Sequence, residues 1–282
     1  MTYMFDHVVH FTNEPEKLAT KLAEQGIYTI EGGRHESLGT YNLLSYFDLS
    51  YIEILSAFDK NLTTHTPKEM YSLWTTLTNE HFRDGTSRIA LRTNNIEKDA
   101  ERFRKLGLIV EGPIPFERKR PDGSLLTWKL LFIGMENTNL PLPFLIQWDD
   151  SDDDRLSQLK KQGAINQHPL GKTFLTSVGV AVQKRDPLID KWQQIFQCEK
   201  GEIELDVQLK ATKQDLILPG GNIGFYEPTR EGTVQRILNQ QGEKPFLIEL
   251  QYETGDVPLR SDNRLWHKDI ELHNMIYRFV QK

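Results

Sequence analysis

Residues 12–26, TNEPEKLATKLAEQG, return at residues 93–107 as TNNIEKDAERFRKLG. An offset of 81 positions lays Thr12-Asn13 on Thr93-Asn94, Glu16-Lys17 on Glu97-Lys98, Ala19 on Ala100 and Gly26 on Gly107. Each copy reads as a helix: a capping residue, acids near the positive end of the dipole (with Pro15 in the first copy) and a closing glycine. Leu18, Leu22 and Ala23 supply an apolar stripe at helical spacing. Before each helix stands one β-type run, at Met4–Phe11 and from Ser87. After each come three more. These are Tyr28–Glu31, Tyr41–Phe47 and Tyr51–Leu55 in the first copy. In the second they are Leu108–Val110 (extended towards Phe116), Leu125–Ile133 and Pro143–Trp148. Gly32-Gly33, Asp48-Leu49-Ser50, Pro121-Asp122-Gly123 and Asn137–Asn139 punctuate them as turns. Repetition at a fixed offset is the strongest fold signal in one sequence, and here it predicts two βαβββ modules.

Working outward, Thr66-Pro67-Lys68-Glu69 predicts a helix running to about His81 between the copies. Asp149 to Lys161 reads as a solvated linker or exposed helix. Beyond it a weaker third copy is expected: a strand at Phe174–Val182 and a helix opened by Asp186-Pro187. Further strands follow at Ile203–Leu209 and Leu216–Leu218, with the last at Pro245–Gln251. Pro245-Phe246-Leu247-Ile248-Glu249 echoes Pro143-Phe144-Leu145-Ile146-Gln147, whereas Asn222 to Gln241 fits the template poorly. The expected fold is α+β, built from repeated βαβββ modules with a degenerate third module at the C-terminus. The organisation is residues 1–150 as two modules (about 4–58 and 86–150, joined by a helix), 151–172 as linker and 173–282 as the C-terminal module.

Composition narrows the function. A formal charge of −6, with basic residues spread among acids, is no nucleic-acid footprint. One cysteine, Cys198, excludes an internal disulfide and any Cys-based zinc site, and beside Phe196 it reads as a buried filler. No apolar run approaches the ~20 residues of a membrane helix, and the opening MTYMFDHVVHF lacks the basic flank of a signal peptide. A soluble, cytoplasmic protein is the expectation. No Ser-His-Asp order, nucleophile elbow or dinucleotide fingerprint is present, and Pro219-Gly220-Gly221-Asn222 reads as a turn.

Strand alternation places His7 with Phe5, Val9 and Phe11, and Glu53 with Tyr51 and Leu55. A carboxylate on so apolar a face needs a partner, because burying an unpaired charge is costly. A His7–Glu53 ion pair satisfies it, and so does a metal. His35 follows Gly32-Gly33-Arg34 at a strand edge, where it can act as a base near neutral pH or stand as an exposed loop residue. Asn42 can orient a polar group or serve a turn. Trp128 and Trp148 can wall a ligand, with core packing the default. Arg118, Lys119 and Arg120 read first as a solvated hairpin end and second as an anion-attracting mouth. His10 faces the helix side and is structural.

Phe5-Asp6-His7-Val8-Val9-His10, Gly32-Gly33-Arg34-His35, Gly39-Thr40-Tyr41-Asn42 and Tyr51-Ile52-Glu53-Ile54-Leu55 follow in order. Arg120-Pro121-Asp122-Gly123, Trp128 and Pro143-Phe144-Leu145-Ile146-Gln147-Trp148 join them. Over residues 4 to 150 this set resembles the glyoxalase-like domain family of the vicinal-oxygen-chelate superfamily. The resemblance implies a curved sheet of two paired modules with a cleft in its concave face. It also implies, in many members, one divalent metal held by the first and last strands of each module. Zinc, manganese, nickel or iron would suit an imidazole and a carboxylate. Other members are metal-free binding or resistance proteins, so fold does not settle chemistry.

On that template His7 and Glu53 are the metal ligands of the first module, Arg88 stands where His7 would recur and Gln147 where Glu53 would. Arginine has no lone pair to give, so Arg88 either neutralises Glu53 or contacts substrate. Glu53 and His35 are the candidate catalytic groups, and Arg88, Gln147, Asn42 and Trp128 the candidate substrate contacts. Two functions are expected in competition. One is a metal-dependent lyase, isomerase or dioxygenase acting on vicinal oxygens. The other is a metal-free protein that binds or sequesters a small molecule. An unpaired C-terminal module would expose an edge for a homodimer.

Overall fold

The computed structural model describes residues 3–66, 68–119, 125–136, 138, 140–253 and 267–282. The expected turn at Pro121–Gly123 and the Pro67 helix start lie outside them, as does the greater part of the Asn137–Asn139 turn.

The repeat found in the sequence builds one eight-stranded sheet. The first module is β1 (Met4–Phe11), α1 (Pro15–Glu24), β2 (Ile30–His35), β3 (Thr40–Phe47) and β4 (Ser50–Ala57). The second is β5 (Ser87–Arg92), α4 (Ile96–Lys105), β6 (Ile109–Lys119), β7 (Leu125–Gly134) and β8 (Phe144–Trp148). They join through antiparallel β1 and β5, giving the order β2-β3-β4-β1-β5-β8-β7-β6. In each module the first and last strands are parallel neighbours. Gly26 and Gly107 close their helices with φ of 77° and 79°, a conformation side chains with a Cβ avoid. The helices start three residues after the repeated threonines, at Pro15 and Ile96. Thr12 and Thr93 instead accept hydrogen bonds from the backbone N–H groups of Glu14 and Asn95, and Asn95 caps α4 through Lys98 N–H.

Two short helices replace the one expected between the modules: α2 (Lys60–His65), capped by Asp59, and α3 (Leu73–Asn79), capped by Ser72. The acidic stretch after β8 is helical, α5 (Asp152–Lys161), capped by Ser151 with three aspartates in its first turn.

The third module is β9 (Lys172–Ala181), α6 (Arg185–Phe196), β10 (Glu199–Asp206), β11 (Ala211–Ile217) and β12 (Asn222–Pro228). It is not unpaired. After α7 (Thr233–Gln241) the chain adds β13 (Lys244–Glu253), β14 (His267–Leu272) and β15 (Met275–Gln281). These complete a seven-stranded sheet, β10-β11-β12-β9-β13-β15-β14. Its central pair, β9 and β13, is antiparallel like β1 and β5, so the premise for a second chain covering an exposed module does not hold. Pro245–Gln251, expected as a closing strand, lies within an opening one.

The helix-bearing faces of the two sheets share one core: Phe5, Val8, Leu18 and Phe103 pack in the same cluster as Val178, Val180, Trp192 and Phe225. Polar bonds stitch this seam. His10 Nδ1 lies 2.7 Å from the Tyr277 hydroxyl, Phe5 N–H donates to Pro219 C=O, and Ser50 Oγ donates to Gly220 C=O. The opposite, concave faces each carry a separate smaller cluster.

Candidate functional site

The concave face of the first sheet holds the site. β1 carries a register shift between Phe5 and His7. This extra residue sends Phe5 into the shared core while His7, Val9 and Phe11 face the cleft. Alternation alone had placed Phe5 beside His7, and the bulge corrects it. On β4, Tyr51, Glu53 and Leu55 face the same way. The cleft is a cavity of about 90 Å³. Its walls are mostly aromatic: Trp74 of α3, Phe116, Trp128, Phe132, Phe144 and Trp148. Phe116 stacks on both Trp74 and Trp128, holding the rings as a continuous wall.

Its polar end is a chain of hydrogen bonds. Gly33 N–H donates to Asn42 Oδ1 (2.8 Å), and Asn42 Nδ2 donates to Glu53 Oε1 (2.6 Å). Glu53 Oε2 faces His7 Nε2 at 3.5 Å, and His7 Nδ1 lies 2.7 Å from Asp6 Oδ1. An aspartate can only accept here, which places the His7 proton on Nδ1 and leaves Nε2 turned to Glu53. Asp6 is wholly buried, with Arg92 Nη1 and Trp148 Nε1 donating to its other oxygen at 3.2 and 3.1 Å. Burial alone would raise its pKa. The His7 hydrogen bond and the charges of Arg155, His7 and Arg92 outweigh that and hold it well below the usual carboxylate range. His35 lines the cavity half-buried, with Nδ1 3.2 Å from Thr40 Oγ1. Burial lowers its pKa against the opposing pull of Glu53, so it is a neutral imidazole near pH 7.

Gly32 and Gly33 lie inside β2 rather than in a turn. A Cβ on Gly32 would stand 2.1 Å from Asn42 Oδ1, and one on Gly33 2.2 Å from Arg118 Nη1. The glycine pair therefore makes room for Asn42 and Arg118.

Arg88 and Gln147 do not join the site. Gln147 points to the helix side, where Oε1 accepts from Ile96 N–H at the start of α4. The buried Arg88 neither neutralises Glu53 nor lines the cavity. Its Nη1 donates to Tyr71 C=O, Ser72 C=O and Thr76 Oγ1, and its Nη2 donates to Leu142 C=O, fixing α3 over the cleft. The true counterpart of Glu53 follows from register. Val9 pairs with Glu53, and Ala90, which the 81-residue offset places on Val9, pairs with Phe144. Phe144 sits 5.8 Å from the Arg88 guanidinium and 5.5 Å from the His7 ring. The four positions are therefore His7, Glu53, Arg88 and Phe144. That is half a metal site: two donors, a cation and a phenyl ring. Among the described residues no group of three His, Cys, Asp or Glu side chains is placed to hold a metal. The residues do not fit a four-ligand centre.

Sequence reasoning passed over Asp6, Tyr46 and Arg155. The acid directly before His7 was visible, but only the bulge turns both towards one cluster. Cys198 is half-buried, and burial pushes its thiol up to about 11, away from the thiolate form.

A family model for a glyoxalase-like domain matches residues 5–196. A hypothetical protein from Staphylococcus aureus superposes over 99% of this chain and 100% of its own, with a TM-score of 0.78 and 24% identity. A variant of 4-hydroxymandelate synthase from Streptomyces coelicolor superposes over 100% of this chain and 93% of its own, at 0.58 and 11%. A search of curated proteins returns no match. Fold and cleft define a protein of paired βαβββ modules. The chain belongs to the glyoxalase-like domain family of the vicinal-oxygen-chelate superfamily. No helix among the described residues is long and apolar enough to cross a membrane.

Proposed function

We propose that the protein binds a small organic molecule in the first-sheet cleft and does so without a four-ligand metal centre. The observation that carries this reading is the pairing of an aromatic cavity with a single polar end, where Arg88 and Phe144 occupy the two remaining ligand positions. Apolar walls supply affinity and a few convergent polar groups supply orientation, the usual composition of a small-molecule pocket. Glu53, which accepts from Asn42 through Oε1 and turns Oε2 to His7 at 3.5 Å, accepts a hydrogen bond or proton from the ligand. His35, neutral, is the second proton-handling group, and Trp128 a stacking surface.

The test is a ligand-observed NMR screen of aromatic fragments on chelator-treated protein, repeated on Leu126→Trp. Leu126 lines the cavity and is only half-buried, so an indole there fills the cleft at small cost to folding. Fragments should bind the chelated parent and be lost in Leu126→Trp at unchanged melting temperature. Binding that appears only after a divalent metal is restored would replace this reading with the metal-dependent one.

A further inference from the structure

Beside the aromatic cleft lies a larger compartment of about 390 Å³. Leu44, Tyr46, Arg118, Leu126 and Trp148 line both, so they form the common wall of a two-part site. The floor of the second part is α5. Arg155, Gln158, Leu159 and Gln162 recur at helical spacing on the face it turns to the compartment.

The chemistry of this vestibule differs from that of the cleft. Arg155 is buried, its guanidinium 4.2 Å over the Trp148 ring. Its Nη1 makes long ion pairs to Asp6 Oδ2 (3.8 Å) and Asp152 Oδ1 (3.9 Å), but among the described residues it has no hydrogen-bond partner. Asp6 is already satisfied by His7, Arg92 and Trp148, and Asp152 by Arg92. A buried charged donor left without an acceptor is costly, and a planar anion is its best partner. Arg118 reaches the same wall across Gly33, which has no side chain to block it. Tyr46 stands where both cations act on it: burial raises its hydroxyl to about 12 against the pull of Arg155 and Arg118. Glu31, exposed at the rim, is the one acid in the vestibule lining among the described residues.

Resting on the binding reading above, we infer that the ligand is an anion whose apolar part enters the aromatic cleft and whose carboxylate or similar planar oxyanion sits in the vestibule between Arg118 and Arg155. The Tyr46–Trp148 wall is where the two halves of the molecule meet.

The experiment uses matched sets of phenyl- and indolyl-alkanoic acids, their carboxamides and their amines, screened by ligand-observed NMR on the full chain and ranked by titration. Acids should bind about tenfold more tightly than amides of the same length, the size expected for a hydrogen bond to a charged group. Arg155→Met and Arg118→Met should each bring the ratio of acid to amide affinity close to one, and because the ratio is read within each variant it separates loss of charge from loss of fold. Gly33→Ala, which displaces the Arg118 guanidinium, should imitate Arg118→Met. Equal affinity of acids and amides, or a preference that survives both arginine substitutions, overturns the inference and leaves the cleft reading standing. No binding by any member of the sets overturns both.

Discussion

The two sheets share a topology and differ in what their concave faces became. Val182 N–H donates to Tyr226 C=O as Thr12 N–H donates to Leu55 C=O, which aligns β9 with β1 and β12 with β4. The pairings Gly179–Gly224, Gly179–Leu247 and Glu249–Arg278 then match Val9–Glu53, Val9–Arg88 and Ala90–Phe144. Where the first sheet has His7, Glu53, Arg88 and Phe144, the second has Ser177, Gly224, Leu247 and Arg278. In the second sheet α7 packs Val234, Ile237 and Leu238 onto Tyr226, Phe246 and Leu247. Arg278 is consumed by Asp269 and Asp206. In the first sheet α3 is held above the concave face by Arg88 and leaves a cavity beneath it. One architecture thus carries a packed concave face in one half and a cavity in the other.

The largest effects should come from the buried cations that organise each face. Arg92→Met takes from Asp6 its hydrogen-bonded cation, and Arg278→Met takes theirs from Asp206 and Asp269. Each should cost about 3–5 kcal/mol by denaturant titration, the usual result of breaking a buried pair. Only Arg92→Met should also destroy fragment binding. Equal loss of binding in both would break the division of labour between the sheets.

The seam between the sheets should respond to pH. Burial pushes His10 down to about 4, against the raising effect of the His273 carbonyl. In the unfolded chain it titrates near its ordinary value of about 6.5, so between these limits the unfolded state takes up the proton. This contribution is complete above pH 6.5 and fades as pH falls to 4, by up to about 3 kcal/mol. His10→Gln should flatten the slope in denaturation midpoints measured across that window. An unchanged slope would place the acid sensitivity elsewhere.

Smaller effects separate the equivalent positions. Glu53→Gln should weaken fragment binding about tenfold with a stability change below about 1 kcal/mol, because the amide keeps the shape and loses the charge-assisted bond to Asn42. Ser177→Ala, at the counterpart of His7, removes a buried hydroxyl that has no partner among the described residues and should leave both binding and stability near those of the parent. Calorimetry on the two variants reads the contrast directly.

The first sheet was legible because its modules preserve helix starts and closing glycines at one offset, and those signals are local. The second was harder. β12 and α7 fall where the template failed, because the sequence had no second copy of them to match. The echo of Pro143–Gln147 in Pro245–Glu249 misled: β8 and β13 are both buried on two faces, and such strands converge on similar apolar runs whatever their place in a module. Strand alternation and the family pattern singled out His7, Glu53, Asn42, His35 and Trp128, which the fold brings to one cavity. Gln147 failed by three residues, since Phe144 is the true counterpart of Glu53 and the register of a distant strand pair is not written in either strand alone. Arg155 was invisible because a helix capped by Ser151 and led by aspartates reads as solvated until its underside is seen against Trp148.

The central claim is that the first cleft holds half of a metal site and works as a binding pocket without the other half. Elemental mass spectrometry of untagged protein tests it, beside His7→Ala, after incubation of each with zinc, manganese, nickel and iron and removal of the excess. The account predicts well under one equivalent of any metal in both. Near-stoichiometric metal in the parent that disappears in His7→Ala would contradict it and make the His7–Glu53 pair a metal centre.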